Sequence, residues 1–543
     1  MQGTRKRGET VETVKETDKK INGLFVAVIL AMGILARWLL FDLQSGDYLA
    51  FLSGWMEECT RAGGWPYVAI DPLRSDASTF NYGCMYQYVI CLLEMFRGML
   101  PDLYLIKIVS VVFDVLCAAA AAGIAYEVSE HDARKAVLGF ALVMVMPSVI
   151  LNSAGWAQAG SLYTFFLLMS LWMCLKERHF LTWVCFGLSF SLKIQALFFL
   201  PFLLIAWLLK KTQLRYSIAA VAAYLLTLLP AYLLGRPAYS LVEVYTSQVG
   251  LYTQLSMNYP NIYTVIPDQI DEGLQQLLIP AGVVITIMLL TILAYICYTK
   301  RLYATKMFLL TLAVFSMEMT VFCLPVMHER YGYAAGILAF LYGLFGAKRL
   351  GSAVMIEALT LATYARFLFS STVIKLYPLA AVLLIVILII GADLWAQMNP
   401  HSEPQVSART RQGRENAQKV TVSASTATES EVKVDPMAPE YISEAAAAGV
   451  PRVTDIHQAI TDGVDLKLRP QEGDAPEDVM NLDDLGVPTV DQVRNAADFT
   501  IPAPDNGTDR DRTMPEQETE AFHAPTLEEL FGAEYATDRK EEN

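Results

Sequence analysis

Apolar runs of about 15–24 residues recur along the chain up to about residue 400. A helix needs roughly 20 apolar residues to cross the hydrocarbon core of a bilayer. The strands of a membrane barrel would instead appear as segments of about 10 residues with alternating polarity. Apolar residues make up 54% of the chain and the mean hydropathy is +0.37, both high for a soluble domain. The pattern predicts an all-α polytopic membrane protein.

The apolar runs predict about twelve transmembrane helices within residues 21–396. They lie at about 21–43, 103–126, 136–151, 160–175, 180–192, 195–209, 215–234, 277–299, 305–324, 331–347, 352–371 and 374–396. Basic residues set the orientation, because Lys and Arg are enriched on the cytoplasmic side. Residues 1–20 are basic, and so are the loops near residues 134, 176, 210, 300 and 348. We therefore expect a multi-pass protein of the cell (plasma) membrane with both termini cytoplasmic.

The segment 42–102 is expected to form the first extracytoplasmic loop. It contains an apolar stretch, Tyr82 to Phe96, that resembles a further span. A crossing there would place the later basic loops on the outer side, which the positive-inside rule disfavours. The stretch is therefore interpreted as an interfacial or re-entrant helix surrounded by protein.

Residues 397–543 differ in character from the rest. From residue 401 onward there are 13 Lys and Arg against 30 Asp and Glu, a net charge of −17, so the membrane region carries about +3. Few aromatic residues and high acidity predict a disordered cytoplasmic tail. The short amphipathic patch 527–531 is a candidate contact for a cytoplasmic partner, although a solvated tail explains it as well. Nothing in the charge pattern indicates nucleic-acid binding.

Six of the eight cysteines lie in apolar runs, where they behave as small apolar residues. We assign Cys59 and Cys84 to the first loop. If that loop is extracytoplasmic, a disulfide between these two residues is compatible with the compartment.

Asp47 follows the first apolar run, in the sequence Gln44-Ser45-Gly46-Asp47-Tyr48. An ionisable residue at the membrane boundary is costly and suggests a functional site. Aspartate is also a favoured helix cap, so the residue pattern alone leaves both interpretations open. The predicted topology places most other conspicuous polar residues on the same outer face as Asp47, which favours a site there.

Two groups on this face could bind a lipid phosphate. Lys193 lies between two apolar runs, where it either neutralises a phosphate or extends its ammonium to the membrane surface. Arg330, within His328-Glu329-Arg330-Tyr331, can bind phosphate through two N–H groups at once. His328 and Glu329 could support it or exchange protons. The cluster lacks zinc-ligand spacing, and no zinc site is predicted.

The remaining candidates are aromatic and amide residues. Asn81 and Tyr82 begin the interfacial stretch, and Trp156 and Gln158 precede the run at 160–175. Aromatic faces combined with amide donors suit a carbohydrate. Tyr and Trp also accumulate at membrane interfaces without any such role, so both interpretations stand.

Several of these motifs occur in an order that resembles the bacterial relatives of the GPI-anchor mannosyltransferases, within the GT-C superfamily of membrane glycosyltransferases. The resemblance covers roughly residues 20–396. Its motifs are Ser45-Gly46-Asp47-Tyr48, Phe51-Leu52 with Trp55, Gly63-Gly64, Asn81-Tyr82 with Tyr86, Trp156 with Gln158, Ser161-Leu162-Tyr163, Ser191-Leu192-Lys193-Ile194-Gln195, Asn258 with Pro260-Asn261-Ile262-Tyr263, and Pro325 with Met327-His328-Glu329-Arg330-Tyr331.

The resemblance implies a GT-C-type arrangement, with interfacial helices in the first outer loop. It also implies a polyprenyl-phosphate-linked sugar donor, mannose by default, and an extracytoplasmic glycan, lipid or protein acceptor. The essential acidic residue of the first loop corresponds to Asp47, which would act as the catalytic base. Arg330, Lys193 and His328 would bind the donor phosphate. The residues expected to position substrates are Tyr48, Asn81, Tyr82, Trp156, Gln158, Gln195, Asn261, Glu329 and Tyr331. No cofactor is required, and a divalent metal is compatible with the chemistry.

The chain departs from the family pattern at one position. Relatives commonly read Gly-Gln-x-Asp-Ser before the fourth span, whereas this chain reads Ala157-Gln158-Ala159-Gly160-Ser161. The loss of that aspartate leaves a non-catalytic scaffold as one alternative. A transporter or lipid-sugar flippase is another, although such proteins often contain internal repeats and none is visible here.

Overall fold

The structure is a computed structural model, and it describes residues 22–71, 80, 82–247, 254–266, 270–300, 304–369 and 373–399. The expectations for residues 1–20, for Asn81 and for the tail beyond residue 399 lie outside the described residues. The described residues form sixteen α-helices and very little sheet, which confirms the all-α prediction.

In chain order the helices are α1 (Asn22–Trp38), α2 (Ser53–Arg61), α3 (Cys84–Glu94), α4 (Asp102–Val128), α5 (Ala133–Val145), α6 (Pro147–Ile150), α7 (Gly160–Leu175), α8 (His179–Leu192), α9 (Leu200–Leu208), α10 (Ser217–Leu233), α11 (Ala238–Thr246), α12 (Glu272–Thr299), α13 (Lys306–Cys323), α14 (Tyr333–Gly343), α15 (Ala347–Leu368) and α16 (Leu376–Met398). Short π-helices span Tyr48–Leu52 and Leu151–Gly155, and 3₁₀ segments span Trp65–Ala69, Ile194–Phe199, Leu214–Tyr216 and Ile262–Val265. Two strands, β1 (Ser256–Met257) and β2 (Met327–His328), pair in parallel.

Each of the twelve predicted apolar segments coincides with a helix or with two successive helices. In the described part of the chain, five helices are long and apolar enough to cross a membrane, or six if the bent pair Ala133–Val145 and Pro147–Gly155 is one span. The five are Asp102–Val128, Leu214–Leu233, Gly273–Thr299, Lys306–Cys323 and Leu376–Met398. The other segments are mostly shorter apolar helices of 10–17 residues, so the number of crossings stays a prediction.

The first loop contains the two short helices α2 and α3. Helix α3 has 11 residues and is therefore about 17 Å long, too short for a hydrocarbon core of about 30 Å. Trp55 of α2 is buried against Phe80, Tyr82 and Tyr86, with ring centroids 4.7–6.0 Å apart. This aromatic cluster fixes α2 and α3 against each other, in agreement with the interfacial interpretation.

A proline breaks the helix that leads to the candidate site. Met146 has extended backbone angles (φ −63°, ψ 118°), as expected for a residue before proline, and α6 begins at Pro147. The two halves differ in direction by 49°. The second half continues as the π-helix Leu151–Gly155 and ends at Trp156. The break therefore determines where Trp156 emerges.

A buried ion pair joins α1, α4 and the π-helix Leu151–Gly155. Arg37 Nε donates to Asp114 Oδ2 at 2.7 Å, and both side chains are fully buried. Ser153 Oγ donates to the same carboxylate oxygen at 2.5 Å. Arg37 Nη1 donates to the carbonyl groups of Gly33 and Met144 at 2.9 and 2.8 Å. The pair therefore connects the two segments that continue to Asp47 and to Trp156.

Lys107 of α4 fixes the end of α1. Its ammonium donates to the carbonyl oxygens of Leu40, Phe41 and Leu43 at 2.9, 3.0 and 2.6 Å. These carbonyl groups follow the last residue of α1, where the helix leaves carbonyl groups without helical partners, and a cation is favourable at a helix C-terminus. This contact orients the turn that leads to Asp47.

Replacing Arg37 by Met is expected to destabilise the protein by about 3–5 kcal/mol, because it leaves the Asp114 carboxylate buried without its cation. Thermal unfolding of the purified protein in detergent measures the effect. The double variant Arg37→Met/Asp114→Leu should recover much of the loss, since it removes both charges.

Lys211→Met is the matched control, because Lys211 pairs with Glu177 at the surface at 3.4 Å. Such a pair contributes about 0–1 kcal/mol. Equal destabilisation by Arg37→Met and Lys211→Met would contradict the role of the buried pair.

Candidate active site

Asp47 accepts three hydrogen bonds at one carboxylate oxygen. Trp156 Nε1 donates to Oδ2 at 2.9 Å, Gln158 Nε2 at 2.5 Å and Arg330 Nη1 at 3.2 Å. No described residue donates to the other oxygen, Oδ1. The arrangement holds one oxygen in place and leaves the second available to a substrate.

The backbone beside Asp47 is tied to the segment that supplies two of these donors. Ser45 Oγ donates to the Trp156 carbonyl at 2.7 Å and accepts from the Tyr48 backbone N–H at 3.1 Å. Ala157 has a positive φ of 64°, which turns the chain sharply between Trp156 and Gln158. As a result, both side chains reach the same carboxylate.

Arg330 pairs with two carboxylates through one nitrogen. Its Nη1 also donates to Glu329 Oε1 at 2.9 Å, and its guanidinium carbon lies 5.7 Å from the Trp156 ring centroid. Burial lowers the pKa of Arg330, but Glu329 and Asp47 outweigh it and the net shift is upward. Nη2 makes no hydrogen bond to a described residue, so this charged group still has a donor to offer.

Lys193 contacts Tyr82, a member of the aromatic cluster around Trp55. Its ammonium donates to Tyr82 Oη at 3.2 Å and is 4.9 Å from the ring centroid. Burial, together with the nearby Arg330, lowers the pKa of Lys193 to about 7. Burial raises the pKa of Tyr82 to about 12, so its hydroxyl stays protonated. Lys193 is therefore poised to gain a proton when an anion binds.

His328 belongs to strand β2, which is held by the pairing of Met257 with His328. Burial, assisted by Arg330 and Lys193, lowers the pKa of His328 to about 3, so the imidazole is neutral at physiological pH. It can then serve a phosphate only as a neutral N–H donor. The Glu329 N–H donates to the Met257 carbonyl at 3.1 Å, and burial raises the pKa of the Glu329 carboxyl despite Arg330. The short sheet thus presents Arg330 at the site.

Two cavities meet at Tyr82 and Arg330. The smaller, of about 50 Å³, is lined by Asp47, Phe51, Leu52, Trp55, Tyr82, Ala157, Gln158, Ala159 and Arg330. The larger, of about 610 Å³, has a polar end formed by Tyr82, Lys193, Gln195, His328, Arg330 and Tyr331. Its other walls are mostly apolar and include Ile279, Val283, Ile287 and Leu290 of α12. The Asp47 carboxylate therefore lies in the small cavity, Lys193 lies in the large, mostly apolar cavity, and Arg330 lines both.

A third cavity, of about 580 Å³, lies along the backbone of residues 43–46, and Arg366 and Phe367 of α15 contribute to its lining. Arg366 Nε donates to Asn258 Oδ1 at 3.0 Å in the same cavity. The Asp47 carboxylate is not part of this lining.

Not every predicted site residue faces these cavities. The Tyr48 side chain is buried and lines none of the three described cavities, although the Asp47 cavity lies beside it. Asn261 is fully buried: its amide donates to the carbonyl groups of Leu255 and Leu324 at 3.3 and 3.2 Å, and its oxygen accepts from the Tyr263 N–H. In this structure Asn261 holds the backbone rather than a substrate.

Gln195 does face the larger cavity, and its Oε1 is buried without a hydrogen-bond partner in the described part of the chain. Tyr331 lines the same end, with its ring 5.1 Å from His328 and 5.8 Å from Phe198. Asn81 lies outside the described residues.

Three buried charges that position the site were missed by the sequence reasoning: Arg37, Asp114 and Lys107. Each is an ionisable residue within an apolar run, which is rare enough in membrane proteins to be a signal. That signal was available in the sequence. The partners of these three charges could not be identified from the sequence, because the partners are backbone carbonyl groups and residues distant in sequence.

Gly160 lies where the resemblance implies an aspartate, and a side chain at this position would require the Asn152 side chain to move. A Cβ at Gly160 would lie 2.3 Å from Asn152 Oδ1 and 3.3 Å from Tyr333 Cδ1. Asn152 Nδ2 contacts Tyr364 Oη at 3.3 Å, so this side chain is already engaged. Asn152 and Tyr333 fill the place where an aspartate would project.

Residues 80–325 match the family model described as Glycosyltransferase family 87. The match indicates a glycosyltransferase. It is consistent with the GT-C-type membrane enzyme that the motifs resemble, and it includes Trp156, Gln158 and Lys193, whereas Asp47 and Arg330 lie beyond its ends. No curated protein matches the chain. In the described residues, no group of three His, Cys, Asp or Glu side chains is placed to hold a metal ion.

Trp156→Phe should slow sugar transfer by this glycosyltransferase about tenfold or more. The phenyl ring can keep the packing against Phe367, which is 5.0 Å away, but it removes one donor from the Asp47 carboxylate. A hydrogen bond to a charged group contributes about 1.5–3 kcal/mol. Transfer of a radiolabelled sugar in isolated membranes, normalised to protein abundance, measures the effect.

Trp395→Phe on α16 is the control, because Trp395 is exposed and should tolerate the change. If both variants keep the wild-type rate, the indole N–H does not contribute to the site.

Proposed function

We propose that this glycosyltransferase moves a sugar from a polyprenyl-phosphate donor to a hydroxyl group of an extracytoplasmic cell-envelope acceptor. Mannose is the default sugar from the resemblance, and the acceptor is a glycan, lipid or protein. The observation that supports the proposal best is the junction of the two cavities at Arg330 and Tyr82. Along this junction an apolar space is followed by a cationic end and then by a carboxylate.

The apolar part of the larger cavity suits a polyprenyl chain. Ile279, Val283, Ile287 and Leu290 recur at helical spacing and form one face of α12. The opposite face of α12 is exposed and equally apolar, for example at Ile285 and Met288. In a bilayer this helix would separate the cavity from the surrounding lipid, which is the source of a membrane-embedded donor.

The polar end of the same cavity suits a phosphate. Lys193 and Arg330 both line it, and Arg330 Nη2 makes no hydrogen bond to a described residue. Arginine provides a planar pair of donors and lysine a compact charge, a combination that stabilises an anionic leaving group. The neutral imidazole of His328 would donate one further N–H.

Asp47 would act as the general base. The acceptor oxygen attacks the anomeric carbon and gives its proton to Asp47 Oδ1 while the bond from that carbon to the phosphate oxygen breaks. The electron pair of that bond leaves with the polyprenyl phosphate. Because there is a single displacement, the configuration at the anomeric carbon inverts. A positioned base of this kind contributes roughly 10²–10⁴ in rate.

A divalent metal does not fit the described donor set. Asp47 Oδ2 already accepts from three donors, one of them the guanidinium of Arg330, and Glu329 is paired with the same guanidinium. A metal bound to Asp47 would lie beside that positive charge. We therefore assign the neutralisation of the leaving phosphate to Arg330 and Lys193 alone.

The proposal locates the enzyme in the cell membrane, with both termini cytoplasmic and the junction on the outer side. Reconstitution in vesicles with a radiolabelled polyprenyl-phosphate sugar separates the alternatives. We expect labelled acceptor product. Labelled lipid that crosses the membrane without product would indicate a flippase instead. If wild-type vesicles show neither product nor lipid transfer, the protein is a scaffold.

Asp47→Asn should lower the rate of transfer by about 10²–10⁴ at unchanged protein abundance, because the amide keeps the size of the side chain but cannot take up the proton. The measurement is the initial rate of product formation in membranes supplied with the polyprenyl-phosphate sugar.

Glu57→Gln is the control, since Glu57 is an exposed carboxylate on the nearby helix α2. Its rate should equal that of the wild type. A near-normal rate for Asp47→Asn would refute the base assignment.

Lys193 should give the enzyme a pH dependence near neutrality. With a pKa of about 7, its ammonium is charged below pH 7 and neutral above it. A phosphodiester stays ionised throughout this range, so donor capture should weaken as the pH rises. We expect kcat/KM for the donor to fall about tenfold between pH 6 and pH 8, because this parameter reports the free enzyme.

Lys193→Arg is the matched variant, since guanidinium remains charged over the whole range. It should remove the decline near pH 7, whereas a decline caused by Glu329 would persist in it. The same pH profile in both proteins would contradict the assignment to Lys193.

A further inference from the structure

Two cysteines of the first loop are in direct contact. Cys59 on α2 and Cys91 on α3 have their sulfur atoms 3.6 Å apart, and both side chains are buried. The carbonyl oxygen of Gly64 lies 3.6 Å from Cys59 Sγ and 3.7 Å from Cys91 Sγ. The two thiols therefore share one small space between the interfacial helices.

The contact in the structure differs from the Cys59–Cys84 pairing that the sequence left open. The sulfur of Cys84 lies 3.6 Å from Arg236 Nη1 instead of facing Cys59. Cys84 and Cys91 are seven residues apart on α3, which is about two helical turns. Helix packing brings the second of them, rather than the first, against α2.

We propose that Cys59 and Cys91 form a disulfide in the mature protein. A disulfide bond is about 2.0 Å long, so the two sulfur atoms, now 3.6 Å apart, must approach by about 1.6 Å for the bond to form. The proposal depends on the outer location of the first loop, where thiols meet an oxidising compartment. It does not depend on sugar transfer.

The oxidant is a protein disulfide that exchanges with the two thiols. One cysteine thiolate attacks a sulfur of that disulfide and forms a mixed disulfide, and the second thiolate then displaces the carrier. The two cysteines lose two protons and two electrons, and the carrier disulfide is reduced to two thiols. Because both side chains are buried in the folded protein, the exchange belongs to the period before α2 and α3 have packed.

The bond would fix α2 to α3 beside the junction of the two cavities. Trp55 lies one helical turn before Cys59 on α2, and Tyr82 lies just before α3. Both residues line the cavity of Asp47, and their rings are 5.2 Å apart. A covalent link between the two helices would limit their separation when substrates enter or leave the junction.

The test uses the full-length protein in its native membranes. Free thiols are blocked with N-ethylmaleimide under denaturing conditions, and the protein is digested and analysed by mass spectrometry with and without reduction. We expect a Cys59–Cys91 cross-linked peptide that disappears on reduction. Labelling of both residues by N-ethylmaleimide before reduction, or a link from Cys59 to Cys84, would overturn the proposal.

A gel-shift measurement compares the wild type with matched cysteine variants. After blocking and reduction, a polyethylene-glycol maleimide should add two labels to the wild type and to Cys84→Ala, but none to Cys59→Ala or to Cys91→Ala, because the remaining cysteine of the pair is a free thiol that is blocked before reduction. In addition, reduction should lower the Tm of the wild type but not that of Cys91→Ala. A wild type that gains no label after reduction would overturn the proposal without reference to any variant.

Discussion

The buried ion pair between Arg37 and Asp114 is the contact on which the geometry of the site depends. It connects α1, which leads to Asp47, with the π-helix that ends at Trp156, and Ser153 reaches the same carboxylate. Burying two charges is costly, and replacing such a pair by apolar residues is often neutral or stabilising. The pair is better understood as a device of specificity, because it allows one relative placement of the two segments and thereby aligns a carboxylate with its donors.

Arg330 organises the charges of the site. One nitrogen, Nη1, pairs with both Asp47 and Glu329. The two carboxylates raise the pKa of Arg330 and so keep its guanidinium charged. Burial, assisted by the nearby Arg330, disfavours the charged form of Lys193. The anionic donor that we propose would offset the repulsion between these two basic groups.

Much of the helical architecture could be predicted from the sequence, because helix formation in apolar runs is local. Asp47, Trp156, Gln158 and Arg330 were all singled out and do converge. Their hydrogen bonds could not be predicted, since these depend on the break at Pro147 and the positive φ of Ala157. For the same reason the burial of Tyr48 outside the cavities, the backbone contacts of Asn261 and the Cys59–Cys91 contact became visible only in three dimensions.

Gly160 is the position at which the chain departs from the motif of the family that it resembles. If an aspartate had simply been lost, a gap would remain where its side chain had been. Instead, a Cβ there would overlap Asn152 Oδ1 at 2.3 Å, and Tyr333 closes the other side. Asn152 precedes Trp156 by about one turn, so the residue that fills this space belongs to the segment that supplies donors to Asp47. The surroundings are therefore packed for glycine, while Asp47 retains its three donors. The departure at Gly160 leaves the junction of carboxylate, cations and apolar cavity complete.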